Sequence, residues 1–228
     1  MDSLAQSFGR TVVIAPHPDD EVLGAGGTIA RLAAGGGDVQ VVVVTEGKPP
    51  AYGPDMVARI QNEAREAHAL LGVSNTHWLG LPAAALAETA HATLNAALFR
   101  IFEELRPKTV LVPFVGDIHV DHQLIFLSSL VASRPHQHGF PERILAYETL
   151  SETNWNAPYL APNFVPNVFI DISQTLGTKA EAMRCFRSQL RDPPHERSIA
   201  TIEALATVRG ATVLTPAAEA FVLVRYVT

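Results

Sequence analysis

Two six-residue windows hold a disproportionate share of the side chains that can bind a metal or move a proton. PHPDDE at 16–21 and DIHVDH at 117–122 together contain four of the nine Asp and three of the nine His in the chain. His17 and Asp20 stand three apart with Pro18 stiffening the turn, so both side chains can face one point. His122 supplies a third donor from the second window. A His, Asp, His set suits Zn²⁺, and three protein ligands leave the open fourth position that a catalytic site needs for water. Asp19, beside a ligand but pointed differently, is the expected general base. His119 is expected to steady an oxyanion or hand a proton to a leaving group. Asp117 and Asp121 are expected behind the ligands, orienting the histidines and setting their tautomers. Taken singly, each residue has a plainer role, since Asp19 or Asp20 could be a helix N-cap and a lone loop histidine is usually solvated. Three acids in a row after a buried strand repel unless a cation compensates them, so the joint pattern carries more than its parts.

Such a site needs two distant loops brought together, and the periodicity supplies the means. A buried-strand pattern at Thr11–Ala15 precedes a helix over about 22–34, which Gly35, Gly36 and Gly37 terminate. A second strand over 39–44, a Pro- and Gly-rich loop over 48–54, a helix over about 56–71 and a short strand over 76–79 follow. Leu94, Leu98, Ile101, Phe102 and Leu105 share one helical face, ended by Pro107. Then come a strand over 109–112, a helix over about 122–132 and a strand over 144–147. The remaining residues, 151–228, read as a strand over 167–170, helices near 174–189 and 196–208, and a last strand near 220–225. This alternation predicts an α/β fold: a Rossmann-like, doubly wound, mostly parallel sheet with helices on both faces. The whole chain, 1–228, reads as one domain, with a core half over about 10–150 and an extension over about 151–228. In the strand order 3-2-1-4-5, the first and fourth strands are neighbours, and ligands bind beyond their carboxyl ends. Both acidic windows lie there.

Composition narrows the function. The chain has 228 residues, 47% of them hydrophobic and 18% charged, which is a globular balance. Its 23 acids against 17 bases give a net charge of −6, which excludes nucleic-acid binding by bulk positive charge. Without Asp19, Asp20, Glu21, Asp117 and Asp121 the balance is 18 against 17, so the excess acidity is concentrated at the predicted site. The single Cys185 excludes an internal disulfide or a cysteine-rich metal site. No apolar run approaches the roughly 18 residues of a membrane span, and the first ten residues lack a secretion signal, so a cytoplasmic protein is expected.

PHPDDE and the HxDH of His119–His122 resemble the paired motifs of the LmbE-like, or PIG-L, zinc-dependent de-N-acetylases. RSQ at 187–189 and AEAF at 218–221 are similar to later segments of that family, in the same order. The resemblance implies that His17, Asp20 and His122 bind zinc, that Asp19 is the general base, and that His119 assists the tetrahedral intermediate. It further implies a homo-oligomer that removes acetyl from an N-acetylglucosamine-like sugar and releases acetate. One position departs from the family pattern. Ile60 stands where an Arg commonly precedes the residue matched by Glu63, and Arg59 is next to it as an expected substrate contact. Two alternatives share the reading: a related metal-dependent amidase acting on a thiol conjugate or antibiotic glycoside, and a non-catalytic sugar- or nucleotide-binding module.

Weaker signals complete the pattern. Gly24, Gly26 and Gly27 lack the third glycine of a dinucleotide fingerprint, with Ile29 in its place, and are expected to permit close helix packing. His136 and His138 read as a surface loop. Arg134, Arg187 and Arg197 are expected in ion pairs, with Arg197 also a substrate-contact candidate. Trp155 is a second such candidate through stacking on a sugar ring. Cys185 reads as a buried helix position.

Overall fold

The structure, a computed structural model, describes residues 2–228. In chain order its elements are α1 (Ser3–Phe8), β1 (Thr11–Ala15), α2 (Asp20–Ala34), β2 (Val39–Glu46), α3 (Pro54–Leu71), β3 (Asn75–Pro82) and α4 (His91–Leu105). They continue with β4 (Thr109–Pro113), α5 (Val120–Ala132), β5 (Arg143–Tyr147), β6 (Val168–Asp171), α6 (Leu176–Cys185), α7 (Ile199–Thr212) and β7 (Ala218–Tyr226). One seven-stranded sheet runs β3-β2-β1-β4-β5-β7-β6. The first five strands pair in parallel, and β7 pairs antiparallel with both β5 and β6. The expected order 3-2-1-4-5 is present, and the C-terminal segment extends the sheet beyond it.

β1 shows why both faces must be covered. Val13 and Ala15 point into one apolar cluster, beneath α2, α3, α6 and α7, while Val12 and Ile14 point into the other, beneath α4 and α5. All five β1 residues are buried, as a central parallel strand requires. Close packing on the first face needs small residues in α2. A Cβ on Gly24 would overlap the Tyr147 ring, and one on Gly27 would lie 2.7 Å from Ile172. Among the described residues no helix is long and apolar enough to cross a membrane.

Several elements differ from the sequence pattern, and three helices do so for a clear physical reason. Helix α1 is only six residues long, too short for periodicity to reveal, and is held by burial of Ala5 and Phe8. Helix α6 stops at Cys185 rather than running to residue 189. Beyond it, the backbone N–H and hydroxyl of Ser188 are taken by the buried Glu63 carboxylate. Helix α7 begins at Ile199, because Ser198 caps it by accepting from Thr201 N–H. Arg197 is thereby left in a loop, free to reach the site.

Candidate active site

The loop after β1 is pinned before it enters α2. Thr45 on the neighbouring β2 donates both its backbone N–H and its hydroxyl to the Pro16 carbonyl, at 3.1 and 2.7 Å. Asp20 then opens α2, where the positive end of the helix dipole favours a carboxylate. Its Oδ2 is the meeting point of the site. It accepts from His17 N–H at 2.8 Å, lies 3.1 Å from His17 Nδ1, and lies 3.2 Å from His122 Nε2. His122 comes from the first turn of α5, so the β1 and β4 loops do meet, as the strand order requires.

Each histidine is held from behind. His122 Nδ1 lies 2.8 Å from Asp117 Oδ2, and Asp117 Oδ1 accepts from the Thr153 hydroxyl. His17 Nε2 lies 3.2 Å from Asp121, whose carboxylate also accepts from Ala84 and Leu86 N–H. His119 caps α5: its Nδ1 accepts from Asp121 N–H, which leaves the neutral ring's proton on Nε2. The His17 and His119 rings meet edge-on at 4.6 Å.

The donor set fits a divalent cation. One ligand atom from each of His17, Asp20 and His122 can be chosen so that all lie within 4.8 Å of one another. Tetrahedral ligands about 2.1 Å from zinc stand roughly 3.4 Å apart, close to the 3.1 and 3.2 Å measured from Asp20 Oδ2 to the two rings. His122 Nε2 is fully buried, yet it finds no partner in hydrogen-bonding geometry, because Asp20 lies near it but out of line. In the neutral ring, with the Nδ1 proton given to Asp117, that nitrogen has a lone pair to offer a cation.

Charge tells the same story. Burial opposes protonation of His17 and His122, but the surrounding carboxylates outweigh it. The His17 imidazole is pushed up to about 9, chiefly by its hydrogen bonds to Asp121 and Asp20. Asp20 and Asp117 push His122 up to about 10. Burial also works against an ionised Asp20, yet the two histidines hold it well below the usual carboxylate range. In the metal-free chain, two protons thus occupy the place of a double positive charge.

Asp19 is set apart from the three ligands. Its backbone sits at φ 125°, a region that only glycine adopts without strain. Its carboxyl is buried, and burial pushes it up to about 8, opposed by Arg197 and assisted by Asp20 and Glu21. Arg197 Nη1 donates to Asp19 Oδ2 at 3.1 Å, while its other donors reach Ser151, Gln189 and Glu152. Glu21, unassigned at the outset, is completely buried and accepts from Asp19 N–H at 3.2 Å. Its other oxygen lies 3.0 Å from His68 Nε2 on α3, and His68 in turn pairs with Thr76 on β3.

A cavity of about 310 Å³ opens in front of this cluster, lined by His17, Asp19, His119, Glu152, Gln189 and Arg197 on one side. His17 keeps 22% of its side chain exposed, so the cluster is accessible from the cavity. Of the three expected substrate contacts, only Arg197 lines it. Arg59 is exposed on the outer face of α3, in a separate shallow cleft with Asp55, Asn62 and Arg187. Ile60, one residue on, faces the cavity instead, because adjacent helix positions diverge by about 100°. Trp155 is 54% exposed and meets His195 edge-on, away from the lining residues. His136 and His138 lie exposed in a loop.

A buried His–Asp–His cluster with a separate carboxyl of raised pKa, at the switch point of a Rossmann-like sheet, is a framework for proton transfer on a small ligand. The sequence profile of the PIG-L family, described as GlcNAc-PI de-N-acetylase, matches residues 12–132, a span that includes both acidic windows. The chain belongs to the PIG-L family of de-N-acetylases. It is 33% identical to the uncharacterized deacetylase YaiS of Escherichia coli (strain K12), over 78% of this chain and 90% of that one. It is 28% identical to the diacetylchitobiose deacetylase of Thermococcus kodakarensis, over 84% and 76% of the two chains. Among solved structures, the conserved protein TT1542 from Thermus thermophilus superposes with a TM-score of 0.77 at 27% identity, covering 96% of each chain.

Proposed function

We propose that the protein is a divalent-metal-dependent hydrolase that removes acetyl from the 2-acetamido group of an N-acetylglucosamine-like sugar conjugate, releasing acetate and a free amine. The observation that carries this reading is the unpartnered His122 Nε2 beside the shared Asp20 oxygen, with Asp19 held apart from both. His17, Asp20 and His122 would hold the cation. When bound there, zinc supplies Lewis-acid polarisation of the amide and makes water acidic enough to ionise near neutral pH.

The chain's own groups do the remaining work. Asp19 accepts the proton given up by the attacking water. Burial pushes this carboxyl up in the metal-free chain, while Arg197 and a bound cation work the other way. A group so balanced can take that proton and return it to the departing amine. His119, kept neutral by burial and by the charge of His17, donates from Nε2 to the carbonyl oxygen as negative charge develops. Arg197 positions Asp19 and lines the cavity beside it. The acetylated sugar is supported by the family profile and by the diacetylchitobiose deacetylase relative.

The test pairs metal analysis with acetate release. The purified protein is expected to contain about one zinc or similar ion per chain, and to release acetate from N-acetylglucosamine or its glycosides, with loss of activity on chelation and recovery on zinc addition. A metal-free protein, inert toward every N-acetyl sugar after zinc is supplied, sinks the reading.

A further inference from the structure

The cavity has two unlike halves, and the half away from the histidines is apolar. Along α3, residues 57, 60, 64, 67 and 71 form one stripe at helical spacing. Ala64, Ala67 and Leu71 are buried in the core, whereas Val57 and Ile60, on the same stripe, are half-buried and line the cavity. Met56 beside them is 38% exposed. Across from this stripe, Trp78 on β3 packs against the core cluster while also lining the cavity, and Tyr52 from the preceding loop completes the wall. The stripe that α3 uses to join the core thus runs on, uncovered, into the cavity.

Two charged side chains stand at the rim of this half. Glu46 accepts from Lys48 and Gln61, and Arg191 donates to the Ser188 and Leu190 carbonyls. Arg65 stacks over the Trp78 ring, 5.7 Å from its centre, but the wall residues themselves carry no charge.

We propose that the wall of Tyr52, Met56, Val57, Ile60 and Trp78 is a subsite for a neutral, apolar substituent carried by the amino sugar. The proposal rests on the de-N-acetylase reading for its substrate, but the wall can be probed without turnover. One aromatic ring or short alkyl chain laid on it covers apolar surface that the fold leaves open, and such a group in an apolar pocket is worth roughly 10–200-fold.

Calorimetric binding of phenyl and methyl β-D-glucopyranoside, both lacking the acetamido group, reads the wall directly. The phenyl glycoside is expected to bind about 10-fold more tightly or better, and the ratio to collapse toward unity in Ile60→Asp. Val57→Asn serves as a second, milder variant, with thermal melting to verify that each folds. A parallel comparison of N-hexanoyl- with N-acetylglucosamine, on Asp19→Ala protein, decides whether the substituent is the aglycone or the acyl chain. A preference in either arm that depends on Ile60 supports the subsite and names its source. Equal binding in both arms, or a preference that survives both wall substitutions, overturns it. Failure of the de-N-acetylase reading looks different: the wall preference persists while no N-acetyl sugar yields acetate.

Discussion

Helix α2 meets two buried clusters of charge, one at its first turn and one at its middle, and they are built on opposite principles. At the middle, Lys179 and Glu219 pair at 2.6 Å, both almost fully buried. Lys179 also donates to the Leu23 carbonyl, and the Glu219 carboxylate accepts from Gly27 and Thr28 N–H. One positive and one negative charge cancel. At the first turn, Asp19, Asp20, Glu21, Asp117 and Asp121 crowd against one arginine and four histidines, and a buried ring nitrogen is left without a partner. A cluster that serves the fold balances itself, whereas one that serves chemistry leaves a deficit for a ligand to fill.

Removing one member of each cluster separates them most sharply. Asp19→Ala is expected to lower kcat on the order of 10⁴-fold, about 5 kcal/mol of barrier, while metal content stays at the wild-type level. Its stability in urea should stay near that of the wild type, because a buried carboxyl is lost while the strained φ 125° backbone is kept by any residue with a Cβ. Loss of metal in this variant would move Asp19 into the ligand set. Lys179→Met, by contrast, strands a buried carboxylate and is expected to cost about 3–5 kcal/mol of stability. The double variant Lys179→Met/Glu219→Gln should recover part of that loss. Equal stabilities for Lys179→Met and wild type would end the contrast.

The first-turn cluster should also respond to pH. In the metal-free chain, Asp19, His17 and His122 all hold protons to higher pH than in the unfolded chain, reaching about 8, 9 and 10 against ordinary values of 3.8 and 6.5. Each therefore stabilises the fold less as pH rises, Asp19 between 3.8 and 8 and the histidines between 6.5 and 10. Urea melts of the metal-free protein should show falling stability from pH 6 to 9, and zinc should flatten the trend. Zinc binding at pH 7 is expected to release roughly two protons, read by calorimetry in buffers of different ionisation enthalpy. No proton release would mean that the histidines are not the ligands.

What could be read from the sequence follows from how each contact is encoded. The meeting of PHPDDE with DIHVDH was legible, because parallel α/β order places β1 beside β4 and each motif directly follows its strand. Contacts made by single residues far apart left no such trace. Arg197 to Asp19 spans 178 positions and Ser188 to Glu63 spans 125. Arg197 sits in no spaced pattern, and the loops that deliver Ser188 and Arg197 were expected to be helical. Strand β3 runs eight residues where four were expected, since an edge strand half-buried throughout has no alternation to extend the pattern. Arg59 and Ile60 could be told apart only once the rotation of α3 was known.

Glu21 joins the two halves of the comparison, because it lies in the first-turn cluster yet is satisfied like the Lys179–Glu219 pair. Its carboxylate spans from Asp19 N–H to His68, and His68 passes the contact on to Thr76 at the edge strand. Asp19 holds a backbone conformation that costs on the order of 1–3 kcal/mol, so something must over-determine it, and its own N–H is the handle that Glu21 grips. Glu21→Gln keeps the volume and one acceptor oxygen but not both contacts in their charged form. It is expected to cost about 1–2 kcal/mol of stability and to lower kcat roughly 10-fold, with metal content unchanged. A His68→Gln variant should show a similar but smaller loss, since it removes only the outer contact. If Glu21→Gln instead released the metal, the residue would belong with Asp20, and the division between ligands and positioning groups on α2 would have to be drawn one residue later.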